Sequence, residues 1–217
     1  MHNIALFGTS ADPPHEGHRG ILAWLSQRFD HVAVWASDNP FKQGQSPLPD
    51  RMRMLQLMIE NLSSQRPAGT VELHPILSHR YTAITLERAR ELWPQAAFTF
   101  VIGADLVQQM PKWYQADAIF QQARILVFPR PGYPLYDRDL RELRQQGATL
   151  DIATPPQQFD ISSSAYRHAT AQEPITQNQA TQDQVTQGVP RAVQDYIHQH
   201  HLYPCLESPR PRNPAQR

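Results

Sequence analysis

Two imidazoles set three residues apart, His15 and His18, stand in the run Gly8-Thr9-Ser10-Ala11-Asp12-Pro13-Pro14-His15-Glu16-Gly17-His18, which leaves a short apolar segment and enters a helical pattern. At a helix N-terminus the first backbone N–H groups lack partners and the dipole presents its positive end, so an anion is favoured there. Imidazole N–H groups add donors for phosphate oxygens, and this spacing lets both rings reach one polyphosphate. Two other readings of the pair stay open at this point. Two histidines can contribute to a transition-metal site, although without nearby Cys or further carboxylates the ligand set is incomplete. They can also serve only as capping and turn residues.

The elements that must position these residues are legible from apolar patterning. Ile4 to Phe7 is a short apolar run consistent with a fully buried strand, Gly8 supplies a flexible exit, and Asp12-Pro13-Pro14 breaks any regular element. Gly17 permits close approach of backbone to a ligand before the amphipathic set Ile21, Leu22, Leu25 and Phe29. Further strands are expected at Val32 to Ala36, Val71 to Ile76, Phe98 to Ile102, Ile125 to Phe128 and Thr149 to Ile152. Helical spacing lies between them, as in Leu55, Met58, Ile59 and Leu62, or Leu86, Ala89 and Leu92. The alternation predicts an α/β fold with parallel strands and right-handed crossovers. Ligands in such sheets bind at the carboxyl ends of strands, which puts the His15–His18 loop and Gly103-Ala104-Asp105 on one edge.

A chain of 217 residues suits one sizeable domain, here residues 1–204. Lys+Arg and Asp+Glu balance at 20 each, so no global basic field points to nucleic acid, and small anionic ligands fit better. Cys205 is the single cysteine, consistent with a reducing cytoplasm, and no signal pattern or membrane-length apolar run is present. Residues 168–188 are Gln-rich with little apolar content and read as a mobile loop. Residues 205–217, with Pro209, Pro211 and Pro214 among arginines, read as a disordered tail. His198, His200 and His201 read as the exposed face of a terminal helix whose buried set is Val193, Ile197 and Leu202.

The segment Gly8 to His18 resembles the GGTFDPxHxGH signature of HxGH-motif nucleotidyltransferases, and Ile161-Ser162-Ser163-Ser164-Ala165-Tyr166-Arg167 resembles their second signature, a Ser/Thr-rich helix start followed by Arg. Tyr81-Thr82, Gly103-Ala104-Asp105, Pro111-Lys112-Trp113-Tyr114, Arg130-Pro131-Gly132-Tyr133 and the ending Val189-Pro190 through Leu202-Tyr203 resemble segments of bacterial nicotinate-nucleotide adenylyltransferases. The matches occur in order from residue 3 to residue 203. Three positions depart from the pattern: Thr9 replaces a Gly, Ala11 a Phe, and Phe41 the usual His of Asn39-Pro40-Phe41-Lys42.

The resemblance implies a Rossmann-like three-layer sandwich and transfer of the adenylyl group of ATP to nicotinate mononucleotide, giving deamido-NAD and pyrophosphate. It also implies the site residues. His15, His18 and Arg167 would be catalytic, as phosphate donors. Gly8, Thr9, Ser10, Gly17, Lys42, Gly103, Asp105, Ile161, Ser162 and Ser164 would bind ATP. Thr82, Trp113, Tyr114 and Arg130 would bind the mononucleotide, with an aromatic face stacking on the pyridine ring. A core role for Trp113 and a helix-capping role for Asp105 are the structural alternatives. Mg²⁺ is expected to arrive with ATP rather than in a protein cage. Nicotinamide mononucleotide or phosphopantetheine as acceptor, a non-catalytic nucleotide sensor, and a homo-oligomeric state remain open.

Overall fold

The computed structural model describes residues 2–39, 42, 44–63, 69–154, 163–171 and 188–203. Six strands, β1 (Asn3–Thr9), β2 (His31–Ala36), β3 (Thr70–Leu73), β4 (Ala97–Gly103), β5 (Ala123–Phe128) and β6 (Leu150–Ile152), form one sheet in the order β3-β2-β1-β4-β5-β6. Every pairing is parallel, for example Leu6 beside Ala33 on one side and Phe100 on the other. The chain winds outward from β1 in one direction and from β4 in the other. The strand order therefore reverses between these two neighbours, and sheets of this kind take ligands at the carboxyl ends of the strands at such a point.

Strand residues alternate between two cores, which makes the structure three layers. Ile4, Leu6, Phe98 and Phe100 pack on one face with Leu86 of α3 (Thr82–Leu92), Ile119 of α4 (Ala116–Gln122) and Leu143 of α5 (Asp137–Gln145). Ala5, Phe7, Val32 and Val34 pack on the other with Leu22 and Leu25 of α1 (Glu16–Ser26), Met54 and Met58 of α2 (Leu48–Ser63), Tyr166 of α6 (Ser163–Ala171) and Val193 of α7 (Arg191–Gln199). A fully buried Leu or Ile contributes about 1.5–3 kcal/mol, so these two layers hold the sheet rigid beneath its carboxyl edge.

Several boundaries differ from the sequence expectation. The strand expected over Val71 to Ile76 ends at Leu73, because Pro75 has no N–H to donate and instead opens a 3-10 turn over Pro75–Leu77. α1 ends at Ser26, so Phe29 half-buries from the following turn, and Leu92 at the end of α3 is exposed. Leu202 half-buries after α7 has ended, while His198, His200 and His201 are exposed. The stretch 168–188 is not a loop throughout: residues 168–171 belong to α6, and the carbonyl of Gly188 accepts from the N–H of Glu16 at 2.8 Å. Residues 172–187 and the tail 205–217 lie outside the described residues.

Candidate active site

The loop between β1 and α1 is held from beneath by two buried charges. Arg51 of α2, 4% exposed, donates from Nε to the carbonyl of Ser46 (2.9 Å) and from Nη1 to those of Ser10 (3.2 Å) and Ser37 (2.8 Å). Asp12, 0% exposed, accepts from the backbone N–H of Ser46 and from the Tyr203 hydroxyl at 2.6 Å. A buried carboxylate is tolerated only when its oxygens are satisfied in this way. At the strand exit Gly8 is required by packing, since a Cβ there would sit 2.7 Å from the Trp35 indole.

His15 is the N-cap of α1. Its Nδ1 accepts from the Gly17 N–H at 3.1 Å, and the Nδ1 of His18 accepts from the His15 N–H at 3.2 Å. The capping role is thus present, and it fixes which ring nitrogen is free of hydrogen. An Nδ1 that accepts a backbone N–H carries no proton, so each neutral ring must hold its hydrogen on Nε2. Burial, with the charge of Arg130, lowers the pKa of His15 to about 4. Burial also holds His18 well below the usual imidazole value, with the charges of His15, Arg130 and Lys42 adding to it. The rings lie 3.9 Å apart, and both are neutral N–H donors at neutral pH.

The second signature arrives on this loop from far along the chain. Ser163 donates from Oγ to the carbonyl of Pro13 at 2.9 Å across 150 residues, and Arg167 Nη1 donates to the carbonyl of Asp12. Arg167 also reaches Ser164 Oγ at 3.4 Å. After β2, Lys42 donates from Nζ to Ser10 Oγ at 2.7 Å. After β4 and β5, Asp105 and Arg130 form an ion pair at 3.2 Å, and Gly103 leaves room for the Asp105 carboxylate that a Cβ would strike. Asp105 is not a helix cap, since Gly103 occupies that position in the short turn Ala104–Leu106. Histidines, lysine, arginines and the carboxylates of Asp12 and Asp105 thus share the carboxyl edge of the sheet, an arrangement that can hold several phosphate charges out of water.

Thr82 opens α3 and is half-buried. Its neighbour Tyr81 lies tilted against Tyr114, with ring centroids 4.8 Å apart and both residues exposed. Trp113 lies edge-on to Phe100 at 6.3 Å and packs on the first core, so its core role is present in this structure. Arg130, grouped by sequence with these aromatics, sits instead beside Asp105 and near the imidazoles. Ile161 and Ser162 lie outside the described residues. Sequence reading missed Arg51 and Ser46, quoted Tyr203 only as the end of a matching segment, and took Asp12 as a turn residue within the first signature. Asp12 in a Pro-flanked loop was the one available signal; the others are partners through long-range contacts that no local spacing records.

Residues 6–169 match the family described as cytidylyltransferase-like. A Synechocystis sp. protein named "Probable nicotinate-nucleotide adenylyltransferase" is 41% identical, covering 92% of this chain and 98% of that one. A Bacillus pumilus protein of the same name is 31% identical over 94% of this chain and 99% of its own. Among solved structures, a Plasmodium falciparum nicotinic acid mononucleotide adenylyltransferase complexed with NaAD superposes with a TM-score of 0.76 at 20% identity, covering 94% of this chain and 98% of that one. Fold and sheet edge define a Rossmann-like nucleotide-binding protein. The chain belongs to the cytidylyltransferase-like family, among relatives named nicotinate-nucleotide adenylyltransferase.

Proposed function

We propose that the protein transfers the adenylyl group of ATP to nicotinate mononucleotide, forming deamido-NAD and releasing pyrophosphate. The observation that carries this reading is the anchoring of Ser163 and Arg167 on the His15–His18 loop, which gathers phosphate donors from both ends of the chain. The names of the relatives, and the NaAD in the Plasmodium falciparum complex, support the choice of acceptor.

An oxygen of the mononucleotide phosphate attacks the α-phosphorus of ATP as the bond to the pyrophosphate oxygen breaks. The attacking group is already an anion, so no general base or covalent nucleophile is needed, and catalysis rests on alignment and charge stabilisation. His15 and His18 donate from Nε2 to the triphosphate, and Arg167 offers a planar fork to the same oxygens. Gly8, Thr9, Ser10, Gly17, Lys42 and Ser164 line the phosphates, while Gly103 and Asp105 receive the nucleoside; the resemblance alone assigns Ile161 and Ser162 to ATP. Thr82, Trp113 and Tyr114 bind the pyridine ring, and Arg130 spans the two phosphate ends beside Asp105. Asp12 and Asp105 are each paired with a guanidinium. The divalent ion of the reaction, Mg²⁺, would accordingly be held by triphosphate oxygens and water, and it would neutralise their charge.

Residues 1–204 act as one catalytic domain with a short tail, in the cytoplasm and on small nucleotides rather than nucleic acid; the balanced charge and lone cysteine support this setting. No helix of the described residues is long and apolar enough to cross a membrane. The test is pyrophosphate release from ATP with nicotinate mononucleotide, nicotinamide mononucleotide and phosphopantetheine in parallel. The highest kcat/KM is expected with nicotinate mononucleotide. A higher value with either rival, or nucleotide binding without release, would overturn the proposal.

A further inference from the structure

A second cluster of chemistry-bearing side chains lies along β2 and the edge strand β3: His31 starts β2, Glu72 lies within β3 and His74 follows it. His31, 6% exposed, places Nε2 3.0 Å from Nε2 of His74, which stands 3.6 Å from Oε2 of Glu72. All three ligand atoms lie within 4.8 Å of one another, and no other such group of three occurs among the described residues. Trp93 lies against both imidazoles, with ring centroids 5.3 and 5.0 Å away.

The far nitrogen of His31 is also held: Thr70 Oγ1 lies 2.7 Å from Nδ1. In the tautomer that keeps its hydrogen on Nδ1, His31 donates there to Thr70 and turns the Nε2 lone pair toward His74. A histidine fixed by donation from its far nitrogen is the usual form of a metal-binding imidazole. Two imidazole nitrogens on a tetrahedral zinc ion lie about 3.3 Å apart, close to the observed separation. Two histidines and a carboxylate leave a fourth position for water, a donor set that suits zinc better than magnesium.

We infer that His31, His74 and Glu72 form a site for a zinc-type divalent cation, separate from the adenylyl-transfer centre, that ties the edge strand β3 to β2. The competing arrangement is a plain hydrogen bond between the two rings, and the test separates the two. The full chain is titrated with Co²⁺ as a visible probe, then with Zn²⁺ as competitor. One Co²⁺ per chain is expected, with the absorption bands of a four-coordinate site that Zn²⁺ abolishes. His74→Gln and Glu72→Gln, at partly exposed positions, should each weaken binding at least about tenfold, and Thr70→Val about 10–100-fold through loss of the orienting contact. His18→Ala and a His198→Gln/His200→Gln/His201→Gln variant should leave the bands in place. Pyrophosphate release with Mg²⁺ and ATP, without transition metal, should be unchanged in His74→Gln. Absent bands, bands that survive His74→Gln, or bands lost in His18→Ala would each overturn the inference.

Discussion

The guanidinium of Arg167 donates to the backbone carbonyl of Asp12 and stands 3.7 Å from that residue's carboxylate, joining α6 to the loop that carries His15 and His18. Lysine keeps the charge but not the planar fork, so it cannot both hold the loop and span two phosphate oxygens. Arg167→Lys is expected to lower kcat/KM for pyrophosphate release by about a hundredfold, the cost of one transition-state donor. A value within about twofold of wild type would remove Arg167 from the machinery.

Tyr203 donates to the same buried carboxylate from beyond the end of α7. Tyr203→Phe leaves one Asp12 oxygen with a partner fewer, at a cost of about 1–3 kcal/mol. In a chain of this size that is a fall in Tm of several degrees, at roughly 2–4 °C per kcal/mol. An unchanged Tm would show that the contact contributes nothing to holding the loop.

The lowered pKa of His15 makes stability depend on pH. Its folded value of about 4 lies below the unfolded 6.5, so between these values the unfolded chain binds a proton that the folded one rejects. Stability is therefore full above pH 6.5 and falls as pH drops toward 4, by up to about 1.4 kcal/mol per unit and ~3 kcal/mol in all for this ring. His15→Asn keeps an oxygen to accept the Gly17 N–H but does not titrate. Urea unfolding across this range should show a shallower decline in the variant, and equal slopes would contradict the assignment.

Gly8→Ala pushes a Cβ onto the Trp35 ring, whose movement is limited by Phe100 at 6.4 Å. Overpacking of this kind costs about 1–3 kcal/mol. Chemical denaturation reads it directly, and a neutral result would mean that the indole has room to move.

The sequence reading located all six strands and their parallel pairing because Val, Ile, Phe and Leu runs between helical patterns record burial on two faces. It overran at Ile76 and Phe29, where apolar residues continue past the point at which Pro75 and the turn after Ser26 end the element. His15 and His18 stood out because two imidazoles follow a strand exit at the start of a helix, and Arg167 because residues 161–167 resemble a second signature. The support beneath them did not. Arg51 looks like any arginine on an amphipathic helix, and only the folded chain brings it to the carbonyls of Ser10 and Ser37. The pairing of Arg130 with Asp105 was hidden for the same reason, since the two lie on different strand ends. The His31–Glu72–His74 cluster spans two strands whose register a sequence does not display.

The central claim is that two remote stretches of chain act on one triphosphate, and a double-mutant cycle on pyrophosphate release tests it most directly. His18→Ala and Arg167→Ala should each lower kcat/KM by about a hundredfold, while the double variant loses less than the product, by a coupling of about 0.5–3 kcal/mol. Losses that combine independently to within ~0.3–0.5 kcal/mol, or single variants that turn over at the wild-type rate, would contradict the account.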